Sequence, residues 1–250
     1  MKRLLTFLLI VGLVIGSYYA FRLSPLVLTD NAGSDKVVLL HGLGRSEMAM
    51  LLMESELTEA GFDVHSIGYP STEKSPDALI EIISKEINNC CVAGPETVHF
   101  VGHSLGGLLI RAYLGQHKPD SLGRVVLLGT PNKGSELANA EAHQSVPNSI
   151  LEMAGPTAMA LSTGPTGFPA SLPAPYYPVG VVAGTQDTAV ANKWLPLPND
   201  GLVSVESARL EGMSDFITFD VTHWELRSDP GVVEQVVAFL SNEAFDRTAP

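Results

Sequence analysis

A chain of 250 residues that is 45% hydrophobic and 17% charged can bury a sizeable core and is too apolar for wholesale disorder. Its net charge of −12, interrupted by no basic cluster, excludes nucleic acid as a partner. The cysteines, Cys90 and Cys91, are adjacent, so with a disulfide framework needing separated partners and no Cys/His metal spacing nearby, they read as packing residues at a helix end.

The chain begins MKRLLTFLLIVGLVIGSYYAFR, in which Lys2 and Arg3 precede an uncharged run from Leu4 to Phe21 and Arg22 closes it. A run of about eighteen uncharged residues is near the minimum for crossing a bilayer. Tyr18, Tyr19 and Phe21 stand where interfacial aromatics stand, and the two leading cations favour a cytoplasmic N-terminus. Residues 1–22 are therefore expected to be an uncleaved membrane anchor and 23–35 a linker, with the remainder exported to the periplasmic or extracellular side. The rival is a cleaved signal peptide and a secreted product, but bulky Tyr18 fits the small-residue rule poorly for a cut at Ala20. Gly12 and Gly16 could pair two such helices, a weak signal that leaves the oligomeric state open.

Beyond the linker, short apolar runs alternate with helical patterns over 36–245. Val37–His41 reads as a buried strand, Glu47–Ala60 as a helix closed by Gly61, Asp63–Gly68 as a strand, and Asp77–Asn88 as an amphipathic helix started near Ser75-Pro76. Thr97–Gly102 is a strand, followed at once by a helix from Leu105 to about His117; Arg124–Gly129, Val179–Ala183 and Phe216–Val221 are further strands. Gly231–Leu240 closes the chain as a helix. Such alternation predicts an α/β fold whose mostly parallel sheet, of about six strands, carries helices on both faces. No internal repeat is visible. Residues 132–178 break the rhythm with Pro, Gly, Ala, Ser and Met, and a structureless loop that long is unusual inside a domain. The Met, Leu, Phe and Tyr content there favours a cap over a site rather than a disordered insertion.

The chemistry centres on GHSLGG. Gly102-x-Ser104-x-Gly106 fits the nucleophile elbow, in which a serine is held on a strained strand-to-helix turn and glycines admit the close backbone approach. The pattern alone is weak, and a Gly-rich helix cap would mimic it. The context strengthens it: a strand ends at Gly102 and a helix begins at Leu105, pointing free N–H groups at any oxyanion formed there. A serine hydroxyl needs a base, and the base an orienting acid, which on this type of elbow follow in the order Ser, acid, His. His143 and His223 lie beyond the serine and outside its helix; His143 falls in the candidate cap, while His223 directly follows a strand and would emerge at the edge that carries Ser104. His103 reads as a packing or hydrogen-bonding neighbour, its side chain leaving the elbow on the far side from that of Ser104. Two carboxylates fit the acid: Asp187 in AGTQDTA and Asp200 in PNDGLVSVES, each at a strand-end loop and each readable as a plain turn residue.

Taken together, VVLLHGLGRS, GHSLGG, LLGTPNKGS, NDGLVSVES and VTHWELRSDP resemble, in matching order from Lys36 to Leu240, the bacterial lipases and lipase-like serine esterases of the α/β-hydrolase superfamily. The resemblance implies the α/β-hydrolase fold and a serine hydrolase that cleaves carboxylic esters through an acyl-enzyme; residues 1–22 would attach it to a membrane. It carries the acid to Asp200, with Asp187 as the alternative. It also assigns the oxyanion-hole N–H groups to Leu43 and Leu105, with His41 and Gly42 shaping the first loop and Gly102 and Gly106 supporting the elbow. Lipases of this kind often hold calcium near the acid; here Asp187 and Glu225 are the available carboxylates, too few for a hard-cation cage, so no metal and no cofactor is expected. The short 132–178 segment departs from larger lipase lids, which weakens any expectation of long-chain triglyceride as substrate. An acyltransferase or thioesterase would share the first half-reaction, and a non-catalytic binding module could share the scaffold.

Overall fold

The computed structural model describes residues 34–139, 155–187 and 194–248. The expected anchor at 1–22, most of the 23–35 linker, His143 and the middle of the expected cap lie outside the described residues. Among the described residues no helix is long and apolar enough to cross a membrane.

Six strands form one sheet: β1 (Lys36–Leu40), β2 (Asp63–Ile67), β3 (Val98–His103), β4 (Leu122–Leu128), β5 (Val179–Gly184) and β6 (Asp215–Phe219). Their order is β2-β1-β3-β4-β5-β6, and every pairing is parallel. The inner strands are mainly apolar because both faces are covered, the exceptions being Lys36 in β1, His99 and His103 in β3 and Arg124 in β4, and their apolar runs make them visible in the sequence. Even-numbered Val38, Leu40 and Phe100 face one apolar layer, while Val37, Leu39 and Val101 face the other.

Helices supply the two covers. On the first face lie α2 (Pro76–Cys90) and α3 (Leu105–Gln116); on the second lie α1 (Leu51–Glu59) and α5 (Pro230–Asn242). Ser75 caps α2 by accepting from Ala78 N–H, with Pro76 preset at the first position. Asp229 caps α5 in the same way through Val232 N–H at 3.1 Å. The helix expected over 47–60 is divided: Glu47–Met50 is 3₁₀ and the α-helical part begins at Leu51. A four-residue helix, α4 (Val205–Ala208), was not predicted, being too short to show a period.

Cys90 and Cys91 differ from expectation. They are bonded to each other, with Cα atoms 3.7 Å apart, closer than the usual separation of bridged cysteines. The spacing rule that excluded them applies to bridges that close loops. This one closes none, forming where Cys91 leaves helical backbone at the end of α2.

Strand order reverses between β1 and β3: from β1 the chain moves outward to β2, then crosses back to place β3 on the other side. Open α/β sheets bind ligands at such a switch point, beyond the carboxyl ends of the strands. The loop His41-Gly42-Leu43 and Ser104 both stand there.

Candidate active site

Ser104 follows the last residue of β3 and precedes the first of α3 with φ 54° and ψ −120°, a left-handed value that only one other non-glycine described residue, Glu243, shares. Such backbone costs about 1–3 kcal/mol and persists where surrounding structure holds it. Ser104 N–H donates to Leu128 O at 2.8 Å, and Gly107 N–H donates to Ser104 O at 3.1 Å, tying the turn to β4 and to its own helix. Strand and helix approach so closely that a Cβ on Gly102 would lie 2.5 Å from Gly107 N, and one on Gly106 would collide with the backbone of Leu40 and His41. Both elbow glycines are therefore steric requirements of this turn.

Asp200 and His223 meet in the same region, both nearly devoid of exposure. His223 Nδ1 donates to Asp200 Oδ2 at 2.8 Å. The other carboxylate oxygen accepts from Leu202 N–H at 2.9 Å and Val203 N–H at 2.7 Å. That bond assigns the proton to Nδ1 and leaves Nε2 as the basic nitrogen. Asp187, by contrast, is exposed in the loop after β5, and the carboxylate at His223 is that of Asp200. Glu225 is exposed and accepts from the Thr222 N–H and hydroxyl.

Ser104 and His223 face a cavity of about 370 Å³ whose wall is mostly apolar. Gly42, Leu43 and His103 line it at the serine, Leu161 and Met159 come from the segment expected as a cap, and Trp224 stands at His223. Trp224 also carries the Arg45 guanidinium 4.5 Å above its ring, linking the loop after β1 to the loop after β6. Neither Trp224 nor the wall residues Leu202 and Val203 were singled out from sequence, since nothing but a fold places them beside Ser104.

The N–H groups of Leu43 and Leu105 have no hydrogen-bond acceptor among the described residues. Leu105 is the first helical residue, where an N–H lacks an intrahelical partner, and Leu43 lines the cavity. The loop bearing Leu43 is fixed by His41. Its ring stacks on Tyr69 with centroids 4.0 Å apart, Nδ1 donates to Gly42 O at 2.9 Å, and Nε2 accepts from Tyr69 N–H at 3.3 Å. The Tyr69 hydroxyl donates to His41 O. Burial lowers the His41 pKa and raises that of Tyr69, keeping both neutral.

His103 requires a correction. Its ring does not leave the site: it lines the cavity, lies 4.7 Å from the His223 ring, and donates from Nε2 to His223 O at 2.9 Å. The alternation of a strand does not carry through the left-handed turn at Ser104, so adjacent side chains need not point apart. Burial and the neighbouring His223 hold the His103 pKa well below the usual histidine value, so it serves as a neutral donor to the loop of His223.

A parallel six-stranded sheet with an elbow serine and a histidine–aspartate pair at its carboxyl edge defines the α/β-hydrolase class. Residues 36–162 match the sequence model of the palmitoyl protein thioesterase family, and the chain belongs to that family. Among solved structures, the mature lipase BlEst2 of Bacillus licheniformis superposes with a TM-score of 0.67 at 22% identity, over 84% of this chain and 92% of that one. The metagenomic carboxyl esterase MGS0156 superposes with a TM-score of 0.58 at 16% identity, over 85% and 72%. Phospholipase PlaB of Legionella pneumophila reaches 0.54 at 14% identity, over 70% and 44%. At these identities the structures attest the fold.

Proposed function

We propose that this protein is a serine hydrolase of carboxylic esters and thioesters that works through an acyl-enzyme on Ser104. The observation that carries the reading is the buried 2.8 Å bond from His223 Nδ1 to Asp200 Oδ2 beside a serine held in left-handed backbone. In this mechanism His223 Nε2 takes the proton of Ser104 as its oxygen attacks the acyl carbonyl. The N–H groups of Leu43 and Leu105 bind the oxyanion that develops, and Asp200 stabilises the imidazolium. His223 then returns the proton to the departing alkoxide or thiolate, and water releases the acyl group by the same steps reversed. The apolar cavity suits an acyl chain.

The thioester arm is favoured by the family match over residues 36–162. Both arms share the first intermediate, so a p-nitrophenyl ester and an acyl-thioester of equal chain length, assayed side by side, rank them. Ser104→Ala should abolish turnover of both, and a fluorophosphonate should label the wild type at Ser104 alone. Undiminished turnover in that variant overturns the proposal.

Placement on the exported side of a membrane rests on residues 1–22. Full-length protein should remain in the membrane pellet after an alkaline wash, and deletion of 1–22 should move it to the soluble fraction; a soluble full-length chain overturns the anchor.

A further inference from the structure

A second cluster of reactive side chains lies away from the cavity that holds Ser104, at the edge strand β2. One ring nitrogen of His65 and the sulfurs of Cys90 and Cys91 lie within 4.8 Å of one another, the one such metal-capable group among the described residues. Beside them is a separate groove of about 400 Å³ lined by His65, Gly68, Glu86 and Cys90. Cys91 is fully buried, while Cys90 is half-exposed on that groove. We propose that the Cys90–Cys91 bridge is the oxidised form of a soft-metal site, in which reduction frees two thiolates that, with the His65 imidazole, bind one thiophilic d¹⁰ cation, Zn²⁺ or Cu(I).

The donor set fits such an ion. Two thiolates and an imidazole select zinc or copper over calcium or magnesium. Zinc holds sulfur at about 2.3 Å and nitrogen at about 2.0 Å, which sets its tetrahedral ligands about 3.5–3.8 Å apart. Once their bond is broken, the sulfurs have only to move apart to that distance, and the His65 nitrogen, within 4.8 Å of both, has only a short way to close. A water in the groove would complete the coordination, with Glu86 on the groove wall.

The surroundings orient the donors. His65 Nε2 donates to Asp63 Oδ2 at 3.1 Å, so this carboxylate orients the ring while the other ring nitrogen keeps a lone pair, the carboxylate–histidine arrangement common to metal sites. Lys36 Nζ donates to the same carboxylate oxygen at 3.4 Å and to Cys90 O at 3.5 Å. One cation thus ties the strand that carries His65 to the turn that carries the cysteines.

The redox step balances with a dithiol reductant. A thiolate of the dithiol attacks Cys90 Sγ, which faces the groove, and Cys91 leaves as thiolate. The second thiol of the reductant then displaces Cys90, so the reductant becomes a disulfide and two electrons enter the protein. Metal binding keeps both cysteines deprotonated and passes their protons to solvent.

The test uses the full chain. Thiol titration in denaturant should find no free thiol in the protein as purified and two per chain after reduction; two at the outset overturn the redox gate. Under argon, the reduced protein should take one Zn²⁺ per chain from a chromophoric chelator, or one Cu(I) in competition with a Cu(I) chelator. The oxidised protein should take neither, a comparison that needs no variant. His65→Ala should weaken binding at least tenfold, and Asp63→Asn by about tenfold through the lost orientation of the ring, with circular dichroism checking that each variant is folded. Failure of the reduced protein to bind either ion, or wild-type affinity in folded His65→Ala, overturns the site.

Discussion

His223 is joined to Asp200 twice: its ring Nδ1 donates to Oδ2 at 2.8 Å, and its backbone N–H donates to the Asp200 carbonyl at 2.9 Å. The backbone bond fixes the loop after β6 against the loop after β5, so the side-chain bond is made between two positioned groups. Asp200→Asn keeps the backbone bond, and its amide oxygen can still accept from the Leu202 and Val203 N–H groups. The amide nitrogen then faces Nδ1 and forces the proton onto Nε2, the nitrogen that must be basic. Under the proposed mechanism kcat should fall by about 10⁴ with the melting temperature little changed. Asp187→Asn should cost less than about tenfold, since that side chain is exposed and His223 bonds another carboxylate. Steady-state kinetics of the two variants on one ester checks the ranking.

Gly129 closes β4 with φ +54°, directly beneath this pair. A Cβ there would lie 2.7 Å from Leu226 Cδ1, 3.0 Å from His223 Nδ1 and 3.2 Å from Asp200 Oδ2. Gly129→Ala therefore adds backbone strain of about 1 kcal/mol and pushes the imidazole off its carboxylate. The expected outcome is a kcat loss of at least about tenfold while KM holds, although no functional group has been removed. Gly164→Ala is the control: its φ is +102° but nothing lies within 4 Å of the added carbon, so it should lose stability without losing turnover.

The sequence carries the sheet better than the site. β1, β3, β4 and β5 are legible because a strand buried on both faces must be mainly apolar, and their Val and Leu runs, with Phe100 in β3, satisfy that without reference to anything distant. Ser104 is legible because its strain, its glycines and its helix are all local in the chain. The acid is legible only through the family resemblance, which points to Asp200: Asp187 and Asp200 both sit after β5 in turn-like surroundings, and what separates them physically, the Leu202 and Val203 N–H groups and the His223 ring, is brought in by folding. The side of His103 was misread because the turn at Ser104 breaks strand alternation. The Cys90–Cys91 bridge was missed because spacing rules describe distant partners.

The cavity wall makes a prediction about chain length. Leu161 is buried, lines the cavity and belongs to the main core cluster. Leu161→Trp would fill part of the space beside Ser104 while replacing one apolar side chain with another. Esters of short acids should be turned over at close to the wild-type kcat/KM, while long-chain esters should lose about 10–100-fold through exclusion. Specificity measured over a series of p-nitrophenyl esters checks this, and an unchanged profile would place the acyl chain elsewhere.

Stability in acid tests a contact far along the chain from the serine. Arg247 Nη1 donates to Asp215 Oδ2 at 2.9 Å, and Phe245 N–H donates to the same oxygen at 2.9 Å. Chiefly through the Arg247 guanidinium, the Asp215 pKa is lowered from 3.8 to about 2. A carboxylate whose folded pKa is depressed adds stability that is fully present above its unfolded value and is lost as pH falls through the folded one. The contact should therefore stabilise the fold above about pH 4 and contribute nothing below about pH 2. Arg247→Ala should lower the urea midpoint at neutral pH and converge with the wild type as pH approaches 2. A gap between the two curves that persists unchanged below pH 2 would mean that Arg247 acts through packing of its stem rather than through the charge of Asp215.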